Sequence, residues 1–142
     1  MFGKLVHVVR LLFGLNFLLN GINWWWKILP YPTIGDPPAG PAFVQAMIDT
    51  GFLFGAIKIV EVVTGVAVLA NRFVPLALAV AFPVTVAAWA VDVGVLGHSL
   101  RAQVMGWAVL SMNGFLMLAY FEAYRSMIAL RARPYCSWSA KA

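Results

Sequence analysis

Four polar side chains fall near the midpoints of otherwise apolar segments: Asn16, Glu61, Thr85 and Asn113. A carboxyl, two carboxamides and a hydroxyl at one depth could pass protons or hold the oxygen atoms of a ring-bearing ligand. Glu61 is the residue on which such chemistry would turn. Between Gly51 and Val91 only Lys58, Glu61 and Arg72 carry charge, and an ionisable group at the centre of a bilayer is costly enough to suggest a role. Asn20, one turn after Asn16, and Lys58 extend the candidate intramembrane site. Lys58 can pair with Glu61 at i+3 or snorkel outward. Facing inward together, the amides and the hydroxyl are expected to hydrogen-bond the Glu61 carboxyl, as a buried polar group requires. The plain alternative for the asparagines is helix–helix glue, worth only ~0.6–2 kcal/mol per bond.

A second constellation gathers toward one end of the segments: Asn23, Lys27, Asp36, Asp92, His98 and Arg101. Asp92 could pair there with Lys27 or Arg101, unless all are ordinary solvated loop charges. His7 and His98 lie near opposite ends, so they cannot ligate one haem iron from both sides. No HxxxH, HExxH or carboxylate–histidine cluster suggests a metal, and no nucleophile motif or phosphate-binding glycine loop suggests an enzyme. No cofactor is evident, although a quinone or another lipophilic ring compound would suit the polar layer. Trp24, Trp25 and Trp26 could stack on such a ring but better suit an interface anchor. The single cysteine, Cys136, permits neither an internal disulfide nor a CxxC pair.

These residues need elements to position them, and composition names the solvent. The chain is 63% hydrophobic and 11% charged, far from the ~45–50% apolar and ~25% charged of soluble domains. It reads as a single integral membrane domain, all-α, with four transmembrane helices at about 5–26, 52–70, 73–93 and 103–124. Asn71-Arg72 is so short a link that spans two and three must form a tight antiparallel hairpin. The proline- and glycine-rich segment 30–41 cannot be regular helix, and 42–50 reads as a short interfacial helix with Phe43 and Met47 on one face and Gln45 and Asp49 on the other. Residues 125–142 form a tail. The N-terminal apolar run is too long for a signal peptide and lacks a cleavage site, so it is expected to remain as the first span.

Lysine and arginine set orientation. Lys4, Arg10, Arg72, Arg125, Arg131, Arg133 and Lys141 fall on one side, against Lys27 and Arg101 on the other. Both termini are therefore expected to be cytoplasmic, with the proline-rich loop outside. The net charge of +5 then serves topology and anionic lipid, not nucleic acid.

Periodicity supports inward-facing polar groups. Asn16, Asn20, Asn23 and Lys27 form one stripe, with Gly14 and Gly21 on the opposite side as a surface for close helix approach. Lys58, Glu61, Gly65 and Val68 share a face of span two. Ala81, Thr85, Ala88 and Asp92 share a face of span three, with Pro83 behind them as an expected kink.

The stretch PAFVQAMIDTGFLFGAIKIVEVVTGVAVLANRFVPLALAVAFPV resembles the DoxX-like family of small bacterial membrane proteins. The shared features are the short helix, Gly51-Phe52, Glu61 followed by Gly65, and the turn Asn71-Arg72-Phe73-Val74-Pro75. RLLFGLNFLLNGIN and AYFEAYRSMI fit more loosely. The resemblance implies a four-helix bundle in a bacterial inner membrane, with a quinone or sulfur-redox connection. Many relatives carry an Asn and then a His late in span three, where this chain has Ala87 and Asp92. Relatives also often have Lys soon after the Gly-Asn of span one, whereas Trp24 to Trp26 intervene here before Lys27.

Three functions follow as expectations. The first is a non-catalytic, ligand-binding component linked to membrane quinone or sulfur redox. The second is an accessory subunit of a larger respiratory or photosynthetic complex, or a self-associating chain. The third is a proton or small-solute pathway, which needs a polar track across the bundle.

Overall fold

A computed structural model describes residues 2–28, 39–95 and 100–128, and every regular element among them is helical. The helices are α1 (Phe2–Trp26), α2 (Ala39–Asp49), α3 (Leu53–Leu69), α4 (Val74–Trp89), α5 (Leu100–Ala119) and the single turn α6 (Phe121–Tyr124). A π-helical turn, Ala90–Val95, extends α4. Asp36, His98, Cys136 and most of the proline-rich segment lie outside the described residues.

Three helices are long and apolar enough to cross a membrane: Phe2–Trp26, Val74–Val95 and Leu100–Ala119. The expected second span differs. α3 has 17 residues, about 25 Å at ~1.5 Å per residue, short of a ~30 Å hydrocarbon core. It reaches spanning length only together with residues 42–49 of α2, and the two are bent by 96°. The large side chains that point away from the helix contacts are apolar, with Leu76 63% and Leu118 72% exposed. That inversion is what lipid requires of a multi-pass membrane chain.

The bend is built from local chemistry. Gly51 takes a left-handed φ of 78°, the conformation that ends helices most cheaply when no Cβ is present. Thr50 then ties the two helix ends together: its hydroxyl donates to the Met47 carbonyl at 2.7 Å and accepts the Leu53 N–H at 3.0 Å. α2 begins at Ala39, so Gly40 and Pro41, expected to be non-helical, lie in its first turn. Proline is tolerated there because first-turn N–H groups have no intrahelical partner. Gln45 donates to Asp49 at 2.7 Å, as their shared face requires. The face turned to the bundle, however, carries Val44 and Ile48, while Phe43 is exposed.

Glycines set the closest packing. A Cβ on Gly65 would lie 2.6 Å from the Leu18 backbone nitrogen, and one on Gly21 would lie 2.9 Å from that of Val62. One on Gly14 would meet Leu69 at 2.9 Å. α1 and α3 therefore touch backbone to backbone at Gly21 and Gly65, while Gly14 makes room for the Leu69 and Val68 side chains; lipid-embedded helices favour such approach because van der Waals contact drives their association.

At the α3–α4 turn, Asn71 and Phe73 adopt φ of 55° and 53°, a region L-residues enter rarely and Asn more readily than Phe. Two side chains from other helices hold this hairpin end. The Arg10 guanidinium of α1 donates to Asn71 Oδ1. Tyr124 of α6 donates to the Pro75 carbonyl at 2.5 Å. Burial pushes the Tyr124 phenol above its ordinary value, so it stays a donor through the neutral range. The expected fourth span ends earlier than 124, since α5 stops at Ala119 and Tyr120 interrupts it (φ −101°, ψ 21°).

Phe13 and Phe17 of α1, Val68 of α3, Val74, Ala77, Leu78 and Ala81 of α4 and Leu116 of α5 pack into the apolar core. This core fills the hairpin half of the bundle. The half nearer α2 is left for polar groups.

Candidate functional site

The polar cavity forms where four elements diverge beyond that core. α1 brings Asn16, Phe17 and Asn20, and α3 brings Lys58 and Glu61. α4 with its π-helical turn brings Val84, Thr85, Ala88 and Asp92, and α5 brings Met105 and Val109. Its volume is about 200 Å³. A dry cavity of ~150 Å³ holds benzene, so this one admits a ring-sized group or a few waters.

At its centre Lys58 Nζ lies 2.8 Å from Glu61 Oε2, with side chains 10% and 13% exposed. The partner of Glu61 is thus one turn away on its own helix; the expected amides and hydroxyl do not bond it. The same ammonium sits 5.0 Å from the centre of the Phe54 ring, within cation–π reach. Lys58 therefore turns inward and does not snorkel.

Thr85 and Asn113 form a separate buried unit. Asn113 Nδ2 donates to Thr85 Oγ1 at 2.9 Å, and Thr85 Oγ1 donates to the Ala81 carbonyl at 3.0 Å. Asn113 is fully buried and does not line the cavity, and among the described residues its Oδ1 has no hydrogen-bond partner. Asn20 donates to the Asn16 backbone carbonyl at 2.9 Å, an i−4 bond within α1. The four mid-segment residues consequently do not make one hydrogen-bonded layer. Asn16, Glu61 and Thr85 share the cavity, and Asn113 stands behind Thr85.

The second constellation divides. Asp92 leaves it and lines the cavity beside the ion pair. Among the described residues it pairs with neither Lys27 nor Arg101, both of which are exposed. The π-helical turn carries Asp92, and Gly106 of α5 lets it approach: a Cβ on Gly106 would lie 2.9 Å from Asp92 Cβ. Insertions of this type recur at functional positions in helices. Asn23 is buried on α1, and its carbonyl accepts the Lys27 N–H at 2.9 Å as the helix ends. Of the three tryptophans, Trp25 and Trp26 are exposed. Trp24 packs its ring against Phe54, edge to face, with centroids 4.8 Å apart.

A second cavity of about 250 Å³ lies beneath α2, lined among the described residues by the apolar surfaces of Trp24, Val44, Ile48 and Phe54. Sequence reasoning missed it. The only available signal was the apolar pair Val44 and Ile48, spaced one turn apart.

The polar cavity therefore offers both kinds of hydrogen-bonding partner. Lys58 has protons beyond the one given to Glu61, and Asn16 has a side-chain amide with no protein partner among the described residues. Glu61 and Asp92 supply acceptors. No protein-family model, curated protein or solved structure matches the chain.

Proposed function

We propose that this chain is a four-span membrane bundle that binds the ring of a quinone-like lipophile in its polar cavity, as a non-catalytic component of membrane redox metabolism. The fourth span is the bent α2–α3 pair, and the DoxX-like resemblance of the Gly51 to Pro75 region points the same way. Both termini face the cytoplasm in this reading, on the side of the basic hairpin end.

One observation carries the proposal: Lys58, Glu61 and Asp92 line a single cavity with Asn16, beside an apolar core. A quinone ring needs donors at its carbonyl oxygens, which Lys58 and Asn16 supply. Its reduced form needs acceptors for two hydroxyl protons, which Glu61 and Asp92 supply. A site of this size takes a head group and excludes a second ring.

The proton-pathway alternative needs polar groups on toward the hairpin end, where Phe13, Val68, Leu78 and Leu116 instead close the bundle. Calorimetric titration of the purified chain in mild detergent, under reducing conditions, with a tail-less benzoquinol is the test. Wild type is expected to bind it, with Glu61→Gln weakening binding by about ten-fold, the loss of one charge-assisted hydrogen bond. Equal binding by wild type and Glu61→Gln, or none by either, would overturn the assignment.

A further inference from the structure

We infer that the apolar cavity beneath α2 holds the hydrophobic chain of the same molecule whose ring the polar cavity takes, making the two cavities tail and head subsites for one amphiphile. This rests on the ligand-binding function proposed above and adds to it the class of ligand, a ring bearing a single alkyl or prenyl chain.

The two cavities are successive along one pair of helices. Trp24 follows Asn20 by four residues on α1, and Phe54 precedes Lys58 by four residues on α3. Each step is about one helical turn, ~6 Å. In both cases it leads from a wall of the polar cavity to a wall of the apolar one. Phe54 stands between them: its ring lies 4.8 Å from that of Trp24 and 5.0 Å from the Lys58 ammonium. One aromatic side chain therefore contacts a wall of each.

α2 completes the arrangement. The 96° bend carries it across the end of α3, where Val44 and Ile48 supply the remaining walls. It also touches the π-helical turn that bears Asp92, so one helix reaches the rims of both cavities. Among the described residues the lining beneath α2 exposes no polar atom, and an apolar surface of this kind takes apolar guests. Its chemistry suits a hydrocarbon chain and not a second polar head. A ring without a chain would leave about 250 Å³ unfilled.

The test compares two probes by calorimetric titration in mild detergent under reducing conditions: the quinol of 2,3-dimethoxy-5-methyl-1,4-benzoquinone and the quinol of its decyl-substituted form. Wild type is expected to prefer the decyl form by about ten-fold or more, the effect of burying roughly two methylene groups. Ile48→Trp and Val44→Trp fill the apolar cavity and are expected to abolish most of that preference while binding the tail-less probe as wild type does. Two positions are used in case one variant fails to run as a folded species in gel filtration. A preference unchanged in the folded variants would overturn the tail subsite and leave the head site standing, since tail-less binding and its dependence on Glu61 would persist. Failure of wild type to bind either probe would remove both.

Discussion

Lys58 and Glu61 show why a charged pair in a bilayer is a commitment. Each lowers the cost of the other, and removing one leaves an uncompensated buried charge, which costs about 3–5 kcal/mol. Lys58→Met is therefore expected to lower the thermal midpoint in detergent sharply. The double variant Lys58→Met/Glu61→Leu should recover most of the loss, because a well-packed apolar pair often equals an ion pair in stability. A double variant as unstable as the single one would mean that the pair is not the source of the effect. Asn113 makes the opposite case. Its Oδ1 is buried without a partner among the described residues, and Thr85 keeps its bond to the Ala81 carbonyl if Asn113 is lost. Asn113→Leu is thus expected to hold or raise stability, by about 0–1 kcal/mol. A large loss would show that the Thr85 bond matters more than the orphaned oxygen.

Among the elements, the α1–α3 contact is the one most exposed to a single methyl group. Gly65 and Gly55 sit on the same helix, but a Cβ on Gly55 meets nothing within 4 Å. Gly55→Ala should therefore stabilise α3 by its helix propensity, about 0.8–1 kcal/mol. Gly65→Ala gains the same propensity yet drives a methyl into the Leu18 backbone, which cannot rotate away. Overpacking of that kind costs typically ~1–3 kcal/mol, so the two variants should move the thermal midpoint in opposite directions. Equal shifts would show that α1 and α3 can separate at no cost. The same contact fixes the site, since Asn16 and Asn20 on α1 face Lys58 and Glu61 only while the helices stay this close.

For the whole molecule, the proposed orientation and the crossing by α2 with α3 can be tested together. The basic hairpin end and the proposed cytoplasmic termini make a definite expectation. Cys136, the single native cysteine, should react with a membrane-impermeant maleimide only in inside-out vesicles. In a Cys136→Ser background, Asp49→Cys should react only from the other side. Both sites labelled from one side would mean that α3 does not cross, leaving three spans.

The sequence by itself determined the solvent, the all-helical character, the tight hairpin at Asn71-Arg72 and the glycine faces of α1. Those properties follow from composition and from the period of a helix, which fixes which residues share a face. It also named Asn16, Asn20, Lys58, Glu61 and Thr85, which now line one cavity. It put Asp92 on the face of Thr85 and Ala88 yet grouped it with the outer charges, treated Asn113 as a partner of Glu61, and read Trp24 as no different from Trp25 and Trp26. Only the tertiary structure decided these, because periodicity says nothing of how far one helix is rotated or offset against another. Close approach at Gly65 and Gly106, the π-helical turn before residue 96, and the bend at Gly51 set those rotations. They turn Asp92 toward the ion pair and lay α2 over Phe54, results of contacts between segments distant in the chain.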